Sequence, residues 1–362
     1  MYAAGGRLYR PELDAVRFIA FLCVFFHHCV PSNILGPHFV RVLVAVNFTG
    51  GFGLCLFFIL SAFLIADLLM RERQKTSTVD VVAFFKRRIL RIWPLYILGL
   101  LIGTAAAFWL HEPVGLRFLA YFFLLGNWYC FLYGWIANPM VPLWSISIEE
   151  QFYLFWPWIA RSCSRRTMYA VCAGLIVAAN GFLYYDGRTH VTRDYIHWCN
   201  SFVQFEMFAA GILAALLLRQ RLPAWPVWVR ILLLVSWPAC WLAGGYCWRA
   251  MGSRLAGMGL GLVAAYALVA VGSVAVLMGL LGCPAWWIPR WLAYLGRISY
   301  GLYVFHVASS LILAEIVRAA HFKMDQPNLI TVVLSFVLTV AIAAVSYRFF
   351  ESPFLRRKPE RI

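Results

Sequence analysis

Long apolar runs, each of about 18 residues or more, recur from one end of this 362-residue chain to the other. As helices, such runs are long enough to cross a hydrocarbon layer about 30 Å thick, because a helix rises about 1.5 Å per residue. Only 13% of the residues are charged, against about 25% in soluble domains. These features exclude a soluble globule and predict an all-α, polytopic bundle of transmembrane helices.

The apolar runs predict ten membrane spans. They cover about residues 13–31, 43–69, 89–110, 143–160, 168–185, 201–218, 227–245, 256–281, 297–317 and 329–349. An even number of spans puts both termini on one side. Most of the 31 Lys and Arg residues then lie on that side, which the positive-inside rule identifies as the cytoplasm.

Residues 116–136 form a further apolar run that hydropathy alone would count as an eleventh span. That span would move the basic segment 161–166 and the basic C-terminus outside, against the positive-inside rule. We therefore predict a re-entrant or surface-lying outer segment, which agrees with Asn127, Pro139 and Pro142 in or near it. The whole of residues 1–362 is expected to be one integral-membrane domain with no appended soluble domain.

The first predicted span carries ionisable residues at both ends. Arg17 and His28 share a helix face and lie about 16 Å apart along the axis. Asp14 is one turn from Arg17, at a spacing that favours an ion pair, whereas His27 points elsewhere. A histidine in a polar cavity is a natural general base. The alternative is that Arg17 snorkels to the headgroups and His28 marks the interface.

A basic cluster stands at the inner end of the third span, in VAFFKRRILRIWPLY. It contains Arg87, Arg88 and Arg91, and Arg91 lies deeper than a membrane anchor requires. Guanidinium groups at that depth suit phosphate recognition. An ordinary anchor that binds anionic lipid is the alternative.

Two adjacent carboxylates, Glu149 and Glu150, lie near the outer end of the fourth span in VPLWSISIEEQFYLFWPWI. They can serve as helix-start charges after Ser145 or Ser147. The other interpretation is that one of them orients His28 and fixes its tautomer.

Other candidates are weaker. Ser61 in LFFILSAFLI fits helix packing better than a nucleophile. In LGRISYGLYVFH, Arg297 begins a span and His306 shares a face with Ser299, Tyr303 or both, as pocket lining or as a core histidine. The chain has no motif of a metal site, serine hydrolase or ATPase, so no metal is predicted. The net charge of +16 reflects topology and predicts no nucleic-acid partner.

Six strings occur in an order that resembles the membrane-bound acyltransferase-3 family, integral-membrane O-acyltransferases that modify sugars and some secondary metabolites. They are LDAVRFIAFLCVFFHH, FFILSAFLI, FKRRILRIWPLY, WSISIEEQFYLFWP, LGRISYGLYVFH and RFFESPF. Ala62 departs from the family, which usually has Gly there, and this puts a close helix contact in doubt.

The resemblance implies an acyl-CoA donor, by default acetyl-CoA, that is bound as a substrate and not as a permanent cofactor. The acceptor that the resemblance implies is a hydroxyl of a glycan or secondary metabolite at the outer face. His28, Glu149 and Arg17 are implied as catalytic residues, and Arg87, Arg88 and Arg91 as ligands of CoA. The possible pocket residues are Asp14, Ser61, Trp144, Ser145, Glu150, Tyr153, Arg297, Tyr303 and His306.

We expect the chain in the inner or plasma membrane of a bacterium, with both termini in the cytoplasm. The alternative function is a transporter or flippase of a lipid-linked glycan, with the buried charges lining its path.

Overall fold

The computed structural model describes residues 9–31, 34, 40–189, 197–250, 259–319 and 329–357. These residues are mainly helical, and none of them forms a strand. The all-α prediction is confirmed. The two termini, which we predict to be cytoplasmic, lie outside the described residues.

The helices are numbered in chain order. They are α1 Pro11–Cys29, α2 Val40–Gly50, α3 Gly53–Thr76, α4 Val81–Trp109, α5 Gly115–Phe122, α6 Gly126–Tyr133, α7 Trp144–Ser162, α8 Arg165–Thr189, α9 Ser201–Leu218, α10 Val227–Ala250, α11 Leu260–Leu280, α12 Arg290–Arg297, α13 Ser299–Ala319, α14 Leu329–Ser346 and α15 Ser352–Arg356. Short 3₁₀ turns occur at Val141–Leu143 and Ala285–Trp287, and a π-helical turn, Tyr347–Glu351, joins α14 to α15.

Eight helical stretches in the described part of the chain are long and apolar enough to cross a membrane. The other two predicted spans are α1 and α7, of 19 residues each, or about 28 Å. Each of these two helices carries three charged residues, namely Glu12, Asp14 and Arg17 in α1 and Glu149, Glu150 and Arg161 in α7. The chain is an integral membrane protein, and each of the ten predicted spans coincides with helix over most of its described residues.

The second predicted span, 43–69, is not one continuous helix, because it breaks between α2 and α3. At the break the backbone of α1 is very close. A Cβ on Gly53 would lie 2.4 Å from the Ala20 carbonyl oxygen, and one on Gly50 would lie 2.6 Å from the Cys23 carbonyl oxygen. Glycine permits this contact and also weakens the helix.

The 116–136 segment is not a span. It holds α5 and α6, of eight residues each, and about 12 Å of helix cannot cross the hydrocarbon layer. Asn127 Nδ2 donates to the Cys199 carbonyl oxygen at 3.0 Å and to Ser201 Oγ at 2.9 Å. Gln151 of α7 donates to Asn127 Oδ1 at 2.9 Å, so the irregular segment is held by protein partners, as membrane depth requires.

Helix α1 lies at the centre of the bundle, in contact with α2, α3, α11, α12 and α13. The residues at both ends of α1 favour a helix. Pro11, Glu12 and Asp14 occupy the first turn, and His27 and His28 occupy the last turn. This order matches the helix dipole.

The close helix contact that Ala62 put in doubt is present. A Cβ on Gly211 of α9 would lie 2.2 Å from the Ile59 carbonyl oxygen and 3.0 Å from the Ala62 Cβ. The glycine that allows α3 and α9 to approach therefore stands on α9 and not on α3.

Candidate active site

Three arginines gather in the half of the bundle that holds the first turns of α1 and α4, which we predict to be the cytoplasmic half. Arg17 Nη1 donates to Asp14 Oδ1 at 2.5 Å, as their spacing predicts. Arg17 of α1 also lies within electrostatic range of Arg88 and Arg91 of α4. All three side chains are only partly buried. We call Arg17, Arg88 and Arg91 the arginine cluster.

Arg88 and Arg87 have different environments although they are neighbours in sequence. The Arg88 guanidinium lies 5.3 Å from the Tyr153 ring centroid and 5.4 Å from that of Phe84. Arg87 Nη2 donates instead to Glu72 Oε2 of α3 at 3.3 Å. Arg87 is therefore engaged outside the arginine cluster.

The two adjacent carboxylates of α7 also differ. Glu149 is half-buried and lies against the hydroxyls of Ser61 and Tyr153, which are 2.5 Å apart. Glu150 is buried, and its Oε2 accepts a hydrogen bond from Trp93 Nε1 at 3.1 Å. Its Oε1 has no hydrogen-bond partner among the described residues.

A pair of histidines lies at the other end of α1. His28 Nδ1 lies 2.9 Å from His306 Nε2, and His306 Nδ1 lies 2.6 Å from the Tyr303 carbonyl oxygen. His306 is fully buried, whereas His28 is exposed. His28, the candidate base, is thus accessible, and the buried His306 contacts its ring nitrogen.

Tyr303 links the histidine pair to α7. Its hydroxyl lies 2.7 Å from Ser145 Oγ and 3.1 Å from the Pro142 carbonyl oxygen, and Tyr303 is within electrostatic range of Glu149. Polar side chains therefore follow one another between the ends of the bundle, and we call this set the polar line. It consists of Arg17, Arg88, Arg91, Tyr153, Ser61, Glu149, Ser145, Tyr303, His306 and His28.

The predicted pairing of a carboxylate with His28 requires correction. The partner of the His28 imidazole is His306, and Glu149 contacts Ser61 and Tyr153 instead. The reason is the position of Glu149 along α7, which begins at Trp144, so that Glu149 lies about 7.5 Å along the axis from the start of that helix.

The candidates Trp144 and Arg297 lie outside the polar line, as does His27, the neighbour of His28. Trp144 is buried, with its ring centroid 5.5 Å from that of Trp135. Arg297 is exposed and donates to the Tyr9 hydroxyl at 3.0 Å. His27 Nδ1 donates to the Asn47 carbonyl oxygen at 2.7 Å, so this histidine is anchored to α2, with its ring centroid 4.9 Å from that of His28.

Sequence reasoning missed Trp93 as the partner of Glu150, and His306 as the partner of His28. Both contacts join helices that are far apart in the chain, and no local spacing indicates such a pair. The one available signal was that Trp93 stands two residues from Arg91, on a helix already assigned to the site.

The fold and the site define an integral membrane protein whose bundle joins an arginine cluster to an accessible histidine. A family model described as an acyltransferase domain, acyltransferase 3, matches residues 10–348. The chain belongs to this family of acyltransferases.

The curated proteins that the chain resembles are named O-acetyltransferases. The chain is 24% identical to the peptidoglycan O-acetyltransferase OatA of Listeria monocytogenes, over 96% of this chain and 56% of the relative. It is 23% identical to a putative O-acetyltransferase of Staphylococcus aureus, over 96% of this chain and 57% of the relative. The chain thus spans little more than half the length of these relatives. No solved structure matches it.

Proposed function

We propose that this protein transfers an acetyl group from cytoplasmic acetyl-CoA to a hydroxyl of a cell-envelope glycan at the outer face of the membrane. The observation that carries the proposal is the polar line, which has cationic groups at one end and an accessible imidazole at the other.

The arginine cluster supports binding of the CoA phosphates. Like charges that lie close together repel one another, and an anion bound between them removes that repulsion. Guanidinium groups bind phosphate through paired, charge-assisted hydrogen bonds. The cluster combines side chains of α1 and α4 that remain partly accessible, so a phosphate can reach them.

His28 supports the chemical step. As general base it accepts the proton of the acceptor hydroxyl, while the oxygen attacks the thioester carbonyl carbon. The carbon–sulfur bond then breaks, and the CoA thiolate takes up the proton held by His28 and leaves as the thiol. The acetyl ester remains on the acceptor, and His28 returns to its neutral state.

A glycan acceptor is proposed because the relative from Listeria is named a peptidoglycan O-acetyltransferase. Since this chain covers 56% of that relative, the acceptor must be tested directly. An acceptor hydroxyl on a secondary metabolite is the other outcome for the same chemistry.

The test uses liposomes that contain the purified chain, with deuterated acetyl-CoA sealed inside or supplied outside. Chains whose cytoplasmic side faces the lumen are expected to acetylate an external soluble peptidoglycan fragment from the internal donor. Mass spectrometry then detects one deuterated acetyl group per modified product. The His28→Ala variant should be inactive, whereas His27→Gln should retain activity.

Two results would overturn this function. Movement of a lipid-linked glycan across the bilayer without a mass change would indicate a transporter. Full activity of the folded, inserted His28→Ala variant would exclude His28 as the base.

A further inference from the structure

The contact between His28 and His306 has a direction that the neighbouring atoms determine. A backbone carbonyl oxygen only accepts hydrogen bonds, so His306 Nδ1, at 2.6 Å from the Tyr303 oxygen, must carry a hydrogen. A neutral imidazole has a single N–H. His306 Nε2 therefore presents a lone pair to its partner.

The same reasoning fixes the partner. His28 Nδ1 lies 2.9 Å from His306 Nε2, and because that nitrogen accepts, His28 Nδ1 must donate. The remaining nitrogen of His28, Nε2, then holds the lone pair of the neutral ring. His28 is exposed, which leaves this lone pair accessible to a hydroxyl.

We propose that His306 is a positioning residue that holds His28 in the Nδ1–H tautomer, so that Nε2 is the atom that accepts the proton. This inference rests on the proposed function, in which His28 is the base, and it adds the group that orients this base. A histidine thus takes the part that a carboxylate takes in other orienting pairs.

The same hydrogen bond to His306 also persists when His28 is protonated. After Nε2 takes up a proton, Nδ1–H still donates to His306 Nε2, so no hydrogen bond has to rearrange during the reaction. His306 is fully buried, and its own N–H is fixed on the Tyr303 carbonyl oxygen. Preorganised partners of this kind avoid a reorganisation cost at the moment of reaction.

His27 provides a matched comparison on the same helix turn. Its Nδ1 donates to the Asn47 carbonyl oxygen at 2.7 Å, so its tautomer is fixed in the same way. Its partner lies on α2, outside the polar line. A fixed tautomer alone does not select the base, and the position beside His306 does.

The test compares His306→Leu with His306→Gln. Leucine removes the acceptor for His28 Nδ1–H, and glutamine supplies an amide oxygen in its place. We expect His306→Leu to lower kcat about 100-fold, a typical contribution of general base catalysis, with KM for acetyl-CoA changed less than about threefold. His306→Gln should recover at least about tenfold of that loss, because it restores the acceptor. The control His27→Gln should retain the parent kcat.

A second measurement reports the tautomer in the unaltered protein and does not depend on the His306 variants. Nitrogen-15 NMR of the histidine-labelled protein at neutral pH is expected to show a protonated Nδ1 and an unprotonated Nε2 for His28. His28→Gln assigns the signal by its loss.

The outcomes separate this inference from the proposed function. An unprotonated Nδ1 on His28, or an unchanged kcat in His306→Leu, would overturn the role of His306 while an inactive His28→Ala variant still supported the base. Equal losses in the leucine and glutamine variants, with lower unfolding temperatures in both, would show that His306 acts through packing alone. Full activity of His28→Ala would refute the proposed base itself.

Discussion

The hydroxyl oxygen of Tyr303 lies 2.7 Å from Ser145 Oγ, while the carbonyl oxygen of the same tyrosine lies 2.6 Å from His306 Nδ1. Tyr303 and Ser145 are both almost fully buried. One residue thus joins α13 to the start of α7 through its side chain and holds a histidine through its backbone. The relation between α7 and the histidine pair depends on this residue.

The Tyr303→Phe variant tests that connection. It removes the hydroxyl and keeps the ring, whose centroid is 5.8 Å from that of Phe57. We expect a loss of about 1 kcal/mol in the free energy of unfolding, which is typical of one hydrogen bond. The kcat should fall roughly tenfold or less, because the carbonyl that holds His306 remains and a shift of about 1.4 kcal/mol corresponds to tenfold.

Thermal unfolding in detergent and initial rates of acetyl transfer measure both effects. The control is Tyr300→Phe on the same helix, which removes a hydrogen bond to the Ile92 carbonyl oxygen. It should lose similar stability and retain kcat. A fall in kcat for Tyr303→Phe larger than that for His306→Leu would contradict a purely structural role of the hydroxyl.

The arginine cluster predicts a difference between neighbouring arginines. Replacing Arg88 or Arg91 by glutamine removes a charged donor, and a hydrogen bond to a charged group contributes about 1.5–3 kcal/mol. We therefore expect KM for acetyl-CoA to rise roughly 10- to 100-fold, with a much smaller change in kcat. Arg87→Gln is the control, because Arg87 binds Glu72, and its KM should stay near the parent value.

Steady-state kinetics and direct titration of acetyl-CoA measure these changes. An equal rise of KM in all three variants would indicate a diffuse basic surface and would contradict a defined phosphate site.

Most of the fold is predictable from the sequence because membrane spans have a simple physical signature. Length and apolar composition place eight spans, and α1 and α7 follow from the same pattern despite their charges. The break between α2 and α3 is not visible in the same way, because it depends on the carbonyl oxygens of Ala20 and Cys23 in another helix.

The candidate site is predictable along a helix and less so between helices. Helical spacing correctly pairs Asp14 with Arg17. It also predicts different surroundings for the two histidines, and their hydrogen-bond partners do differ, although their ring centroids lie only 4.9 Å apart. It does not give relative depth, so Glu149 was expected beside His28 whereas His306 lies there. Such a contact depends on where α7 begins and on how α13 packs against α1.

The Trp93–Glu150 hydrogen bond leads to a further prediction. Trp93→Phe leaves a buried carboxylate without the donor of its Oε2, while its Oε1 already has no partner among the described residues. An unsatisfied buried polar group costs about 1–3 kcal/mol, and more when charged, so the unfolding temperature should fall.

A double-mutant cycle isolates this interaction. Combining Trp93→Phe with Glu150→Leu replaces both partners by apolar groups, which can be nearly neutral. The double variant should therefore be more stable than Trp93→Phe alone, and additive losses would show that the pair contributes nothing.

Gly296 controls the position of α1 and with it the arginine cluster. A Cβ on Gly296 would lie 1.8 Å from the Asp14 carbonyl oxygen, a backbone atom that cannot move without the helix. Gly296→Ala must therefore separate α12 from α1. We expect a loss of about 1–3 kcal/mol, the usual cost of overpacking, and a higher KM for acetyl-CoA because Asp14 holds Arg17.

The matched control is Gly174→Ala in α8, where an added Cβ meets nothing within 4 Å. Alanine in a helix is favoured over glycine by about 0.5–1 kcal/mol, so this variant should be as stable as the parent or more stable. Unfolding temperatures and the KM of both variants decide the prediction. If Gly296→Ala lost stability with an unchanged KM, Arg17 would hold its place without close packing of α12 on α1, and the link from packing to donor binding would be wrong.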